Sequence, residues 1–233
     1  MSAGGIRPLT AVGSSQRGWL GLGIGMTAVI GAIGLGTDRA ATAFGWHFPS
    51  LGYAVGILVW KLLTLGVLAL AVRRSLGPKQ TLSSLGFTNE PGWTADDRRS
   101  HTGLAILGLA LAGCLGVPMS LLGSSLASAS SYGVAHHAGP GLIVTELLAV
   151  YPLTVLAEET VFRGWLQPRL GRWGPLISGV LWAGQHLQQW RTIPSLIPLG
   201  IGLGVIRWWR GNIRLTSGLH YASDGLFFLL NYA

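Results

Sequence analysis

The feature of this sequence that most constrains its fold is a series of apolar runs long enough to cross a lipid bilayer as helices. A transmembrane helix needs about 20 predominantly apolar residues, and lipid offers its backbone no hydrogen-bond partners. The fifth and sixth runs are short and interrupted by proline or glycine. We therefore predict an all-α, polytopic integral membrane bundle with about seven transmembrane helices. The runs cover 19–36, 51–72, 103–122, 141–161, 175–190, 193–209 and 215–232.

Composition supports a membrane protein. Only 10% of the 233 residues are charged, against about 25% in soluble domains. The formal net charge is +8, which in a soluble protein would suggest nucleic acid. Here the basic residues cluster between the apolar runs, as expected for membrane topology and contact with anionic lipid. We expect membrane lipid as a partner, and no nucleic acid.

The distribution of lysine and arginine predicts the orientation. Positive residues are concentrated in 73–101, 163–174 and 207–214, whereas 123–140 contains none. Because positively charged loops stay in the cytoplasm, the N-terminus and the three basic loops are expected on that side. We expect the protein in a bacterial cell inner or plasma membrane.

Two adjacent carboxylates, Glu158 and Glu159, lie at the end of the fourth apolar run. Charges at membrane depth cost roughly 2.5–3.5 kcal/mol each on insertion scales, so they suggest a functional site. Neighbours on an α-helix face different directions. Glu159 has the i,i+4 spacing of an ion pair with Arg163, which leaves Glu158 facing the bundle interior as a usable base. The alternative is that both glutamates only mark the cytoplasmic end of the helix.

Two histidines follow in later apolar runs, each four residues from a second notable side chain. His186 follows Trp182, and His220 precedes Asp224. A single histidine on an apolar face is more often a packed core residue. The His220–Asp224 pair fits a private hydrogen bond as well as two groups acting on one substrate oxygen. Taken with Glu158, the set could activate water against a carbonyl and stabilise the oxyanion.

Other protease motifs are absent from the sequence. It contains no Gly-x-Ser-x-Gly, no His-Glu-x-x-His and no paired intramembrane aspartates with a nearby glycine-rich motif. These absences argue against serine, zincin-type and aspartyl intramembrane proteases.

Three ordered motifs resemble the CPBP family, which contains the CAAX prenyl proteases and bacteriocin-processing or self-immunity (Abi) proteins, also called intramembrane glutamic endopeptidases. The family pattern is Glu-Glu-x-x-x-Arg, then Phe-x-x-x-His, then His-x-x-x-Asn or Asp. The resemblance spans 141–233, which we expect to be the catalytic helical core. Residues 1–140 would supply N-terminal transmembrane helices and a cytoplasmic loop. The matching motifs are Glu158-Glu159-x-x-x-Arg163, Trp182-x-x-x-His186 and His220-x-x-x-Asp224.

The resemblance implies that Glu158 activates water with help from His186. It implies that His220 and Asp224 stabilise the oxyanion and that Arg163 supports the glutamates, without a cofactor. An ionised aspartate cannot donate a hydrogen bond, so Asp224 is expected to orient His220 or to be protonated.

One further position departs from the family pattern. Trp182 occupies the place of the usual phenylalanine, and we expect this to change the shape of the pocket more than its chemistry.

The expected function is hydrolysis of a peptide bond in a small membrane-associated peptide, either prenylated or a leader. One alternative is a zinc metallopeptidase with Glu158, His186 and His220 as ligands. Another is a non-catalytic immunity or scaffold protein. A third is a transporter that uses Lys61 and Glu146 as intramembrane charges, although Lys61 could instead reach the interface and no inverted repeat is visible.

Overall fold

The computed structural model describes residues 16–46, 48–76, 85–88, 102–103, 106 and 138–232. Within these residues all regular elements are helical, which confirms the all-α prediction. Three helical stretches are long and apolar enough to cross a membrane: Arg17–Ala43, Leu51–Arg74 and Pro140–Gly184. The count of about seven spans is not confirmed. The predicted third span, 103–122, lies almost wholly outside the described residues.

Helices α1, Gln16–Ala43, and α2, Leu51–Leu76, pack against each other. Their contact is fixed by Trp60, whose indole N–H donates to the carbonyl of Ile30 at 3.0 Å. Gly34 allows the close approach, since a Cβ there would lie 2.6 Å from the Trp60 ring. The α1–α2 pair is therefore held by a directed hydrogen bond as well as by apolar packing.

A long composite helix, here called the glutamate helix, runs over residues 140–166. It changes from α to π geometry twice. Its last π segment, Glu159–Leu166, is buried at each of its eight positions. Gly164 lets the chain at Leu85 pass directly over this segment, because a Cβ at residue 164 would collide with the Leu85 carbonyl. The parts are α3 Pro140–Thr145, a π segment Glu146–Val150, α4 Tyr151–Glu158 and the π segment Glu159–Leu166.

The remaining elements follow the glutamate helix without a long break. Helices α5 and α6 pack closely against each other, because Gly179 and Gly200 face each other. A Cβ at Gly200 would lie 2.7 Å from the Gly179 carbonyl oxygen. The elements are a 3-10 helix Gln167–Trp173, α5 Gly174–Gly184, a 3-10 helix Leu187–Thr192, α6 Ile193–Arg210 and α7 Arg214–Tyr232.

The predicted fifth span, 175–190, is shorter than expected. Helix α5 ends at Gly184, and His186 has a non-helical backbone with φ −85° and ψ 47°. Although they are four residues apart in the sequence, Trp182 and His186 therefore do not lie on one continuous helix. The two rings still contact each other, with centroids 5.2 Å apart.

The main core lies where α1, α2, the glutamate helix and α5 meet, and it is rich in tryptophan. Trp165 and Trp182 are among its largest fully buried side chains. The tryptophans of this core are Trp19, Trp60, Trp165 and Trp182. The site described next is embedded among them.

Candidate active site

The carboxylate of Glu158 is the centre of a buried polar cluster. One oxygen, Oε1, lies 2.5 Å from the Lys61 ammonium and 3.9 Å from His186 Nε2. The other, Oε2, accepts a hydrogen bond from the Trp182 indole at 2.5 Å and lies 3.8 Å from His220 Nε2. These four side chains come from α2, α5, the turn after α5, and α7. Glu158 therefore faces the bundle interior, as its helical position predicted.

The neighbouring carboxylate, Glu159, has different surroundings. Its Oε1 lies 3.3 Å from Arg163 Nη1 and 3.0 Å from His220 Nδ1. Arg163 also donates to the Gly200 carbonyl at 3.1 Å, and its guanidinium lies over the Trp182 ring. The predicted Glu159–Arg163 ion pair is present, although the helix is π rather than α from Glu159 onward.

His220 joins the two glutamates. Its Nδ1 faces Glu159, while its Nε2 lies 3.8 Å from Glu158 Oε2 and 3.5 Å from Asp224 Oδ2. The Asp224 side chain is 26% exposed, whereas those of His220 and both glutamates are buried. Asp224 therefore lies at the more accessible side of the cluster. The predicted private pair and the predicted shared site both fit this arrangement, because His220 contacts all three carboxylates.

The hydrogen bonds of His186 determine which of its nitrogens can act on a ligand. Nδ1 lies 3.1 Å from the Trp182 carbonyl oxygen and 3.3 Å from that of Ala183. Carbonyl oxygens only accept, so Nδ1 carries the proton and Nε2 keeps a lone pair. That lone pair belongs to the atom 3.9 Å from Glu158 Oε1. The His186 side chain is 13% exposed, so this edge of the site is not completely closed.

The charges of the cluster balance if one imidazole is protonated. The described residues of the cluster include three carboxylates, and its lysine and arginine are Lys61 and Arg163, each counted as one positive charge. An imidazolium at His220, which faces three carboxylates, makes the sum zero. A buried charge is costly unless it is paired and hydrogen-bonded, so this balance favours His220 as the charged imidazole and His186 as the neutral one. The carboxylates are those of Glu158, Glu159 and Asp224.

Two features of the site were not anticipated from the sequence. The sequence suggests a transporter site or the membrane interface for Lys61, but its side chain is 2% exposed and bound to Glu158. Trp182 was expected to change shape more than chemistry, but it donates a hydrogen bond that phenylalanine could not make. The available signal for Lys61 was a charge in the middle of an apolar run, which is rare in a membrane helix. Its partner lies 97 residues away.

Glu146, the other charge of the transporter alternative, is separate from the Lys61 ion pair. It is fully buried, and among the described residues neither of its carboxylate oxygens has a hydrogen-bond partner. In the structure Lys61 therefore pairs with Glu158. Lys61 and Glu146, the two charges of the transporter alternative, do not share a site.

The residues proposed as zinc ligands come together, but in a different kind of cluster. Among the described residues no three His, Cys, Asp or Glu side chains form a group that could hold a metal ion. Glu158 Oε1 is already bound by an ammonium group, and a divalent cation at the same oxygen would be repelled by it. The described donors therefore do not favour the zinc alternative.

A known family model matches part of the chain. Residues 139–226 match the family model described as type II CAAX prenyl endopeptidase, Rce1-like. The match supports the assignment of this segment to the CPBP/CAAX protease family. No curated protein and no solved structure matches the chain.

The match confirms the family resemblance and covers the three motifs, from Glu158 to Asp224. A CAAX-type intramembrane protease is a hydrolase that acts on membrane-associated peptide or protein substrates, and the apolar helices fit an integral membrane protein. Lys61 lies outside the CAAX-family segment, on a helix that precedes it by more than 60 residues. The site thus combines family motifs with a side chain that the family match does not include.

Proposed function

We propose that this protein is an intramembrane glutamic endopeptidase that hydrolyses a peptide bond in a small membrane-associated peptide. The observation that carries the proposal is the buried Glu158 carboxylate, with one oxygen facing His186 Nε2 and the other facing His220 Nε2, each within 4 Å. Both imidazoles lie on other parts of the chain. A base and two imidazoles around one point are the groups that activation of water requires.

The attacking water would bind between Glu158 Oε1 and His186 Nε2. These atoms are 3.9 Å apart, so one water can donate hydrogen bonds of about 2.8 Å to both. Glu158 takes one proton as the water oxygen attacks the peptide carbonyl carbon. The tetrahedral intermediate then collapses, the C–N bond breaks, and Glu158 returns the proton to the leaving amine. His186 stays neutral, because it holds the water by its lone pair.

The negative charge on the carbonyl oxygen would be stabilised by His220. As an imidazolium it donates one N–H to Glu159 and keeps the Nε2–H for the oxyanion. Asp224, 3.5 Å from the same nitrogen, favours the charged ring and does not itself need to donate. Removing one oxyanion donor typically lowers kcat about 10²- to 10³-fold. In this proposal Arg163 holds Glu159, and Glu159 holds His220.

The finer predictions belong to this proposal as well. They are a prenylated or leader peptide as substrate, a cytoplasmic N-terminus in a bacterial inner or plasma membrane, and about seven spans. The division into N-terminal helices, 1–140, and a catalytic core, 141–233, is retained. Catalysis without a metal is also part of the proposal.

The test is cleavage of a farnesylated CAAX peptide and an unprenylated leader peptide by purified protein in proteoliposomes. We expect Glu158→Gln to lower kcat about 10²- to 10⁴-fold, the usual contribution of a general base. Because this change leaves Lys61 unpaired, the double variant Lys61→Met/Glu158→Gln serves as a charge-neutral control that should fold and remain inactive.

Two results would contradict the proposal. Undiminished cleavage by either variant would remove Glu158 from the mechanism. If the wild-type protein cleaves neither peptide, the non-catalytic immunity or scaffold alternative gains support. Glu158→Asp, which keeps the charge but shortens the side chain, should be folded and slow rather than inactive.

A further inference from the structure

We propose that Lys61 is a positioning residue of the active site, which holds Glu158 in its ionised form and so sets the lower pH limit of activity. The inference rests on the proposed function for its role in turnover. It concerns a residue of the front helices, outside the segment that matches the CAAX family.

The side chain of Lys61 is held on two sides. Its ammonium lies 2.5 Å from Glu158 Oε1 and 3.4 Å from the centroid of the Trp60 ring. The Trp60 ring is itself fixed, because its N–H donates to the Ile30 carbonyl. Lysine in a membrane helix ordinarily extends its charge toward the interface, but here the side chain is 2% exposed. The burial of Lys61 is therefore explained by its ion pair and by the ring beneath it.

Lys61 contacts Glu158 Oε1, the carboxylate oxygen that would take the proton from water in the proposed function. The Glu158 oxygen that it binds is also the one facing His186 Nε2, where the attacking water would be placed. The ammonium thus orients the carboxylate so that one lone pair is occupied and another remains for water. It also favours the carboxylate over the neutral acid, since the opposite charge acts through a poorly solvated environment.

The other cations near Glu158 are already shared with other carboxylates. The groups that face Glu158 or its immediate neighbours are Glu159, Arg163, His186, His220 and Asp224. Arg163 pairs with Glu159, and His220 is shared among three carboxylates. Without Lys61, the three carboxylates of the active-site cluster face only two positive charges, those of Arg163 and the His220 imidazolium. The least costly correction is a proton on a carboxylate, and Glu158 is the one that has lost its partner.

The first experiment compares kcat against pH for the wild-type protein, Lys61→Met and Lys61→Arg in proteoliposomes. We expect Lys61→Met to move the acidic limb of the profile upward by about one pH unit or more, equal to a tenfold change in the ionisation equilibrium. Activity should recover as the pH rises. Lys61→Arg should keep the limb near its wild-type position. Arg74→Met, which removes an exposed charge from the same helix, is the matched control and should leave the profile unchanged.

The second experiment does not need catalysis. Infrared spectra at neutral pH should show an additional protonated-carboxyl band in Lys61→Met that is absent from the wild-type protein and from Lys61→Met/Glu158→Gln. If the wild type cleaves no peptide, this measurement still tests the inference while the proposed function fails. If Lys61→Met does not insert, Lys61→Gln takes its place. An unshifted acidic limb, or the lack of the carboxyl band in a folded variant, would overturn the assignment.

Discussion

Glu158 and Glu159 are adjacent in sequence and occupy different environments in the structure. Glu158 is contacted by side chains from four other parts of the chain, among them Lys61 and Trp182. Glu159 is held by Arg163 on its own helix and by His220. The contacts of Glu158 leave one of its carboxylate oxygens able to bind a water. The contacts of Glu159 fix the imidazole of His220. This difference supports the proposal that Glu158 takes part in the reaction and that Glu159 holds the groups around it.

The geometry of the helix contributes to this division. Glu158 is the last residue of α4, and Glu159 is the first of a π segment. π-helical turns are rare and are frequent at functional sites. This one is buried along its whole length, and Glu158 directly before it is buried as well, so both carboxylates are surrounded by protein. Opposite charges must therefore be supplied from nearby side chains rather than from solvent.

The variant expected to distinguish Glu159 from Glu158 most strongly is Glu159→Gln, through a loss of folding stability. Glu159→Gln leaves the buried Arg163 without its ion-pair partner, which typically costs about 3–5 kcal/mol. Activity per folded molecule should fall less than in Glu158→Gln, because the attacking group is retained. Thermal unfolding in detergent, together with kcat normalised to folded protein, measures both quantities.

The double variant Glu159→Gln/Arg163→Met is the control for that prediction. Removing both charges should recover much of the stability, since no buried ion remains unpaired. If instead Glu159→Gln is as stable as the wild type and as inactive as Glu158→Gln, the division between reaction and support is wrong.

A smaller effect is expected from Trp182→Phe, which removes a hydrogen bond made to Glu158. Hydrogen bonds to charged groups contribute about 1.5–3 kcal/mol. Only the part of this energy that differs between the enzyme–substrate complex and the transition state affects kcat. We expect kcat to fall about tenfold with KM nearly unchanged. Steady-state kinetics over a range of peptide concentrations provides the measurement.

Trp165→Phe is the matched control for Trp182→Phe. Trp165 is equally buried, and among the described residues its indole nitrogen has no hydrogen-bond partner. The same change in volume therefore removes no bond to a carboxylate. Equal losses of kcat in both variants would mean that packing, and not the contact with Glu158, explains the role of Trp182.

The smallest expected effect is that of a metal chelator. If Glu158 is a base paired with Lys61, incubation with a chelator should leave peptide cleavage within experimental error of the untreated protein. Elemental analysis of the same preparation gives the metal content per chain. Loss of activity in chelator, with recovery on adding Zn²⁺, would indicate that Glu158 is a metal ligand. The proposed division of roles between Glu158 and Glu159 would then be wrong.

The sequence was most informative where partners are close along the chain. The Glu159–Arg163 and His220–Asp224 pairs were visible because residues four apart share a helix face, and both pairs form contacts in the structure. Long apolar runs determined the helical class for the same local reason. The order of the three motifs indicated a resemblance to the family whose model matches residues 139–226.

Tertiary structure decided which distant groups meet. Lys61 and Glu158 are 97 positions apart, and the sequence offered no local spacing by which to pair them. The indole N–H of Trp182 became a donor only because α5 packs beside Glu158. A short α5 also placed His186 in a turn rather than on a helix face. Helical periodicity orients a side chain on its own helix, but only the packing of several helices determines which opposite charge a buried carboxylate finds.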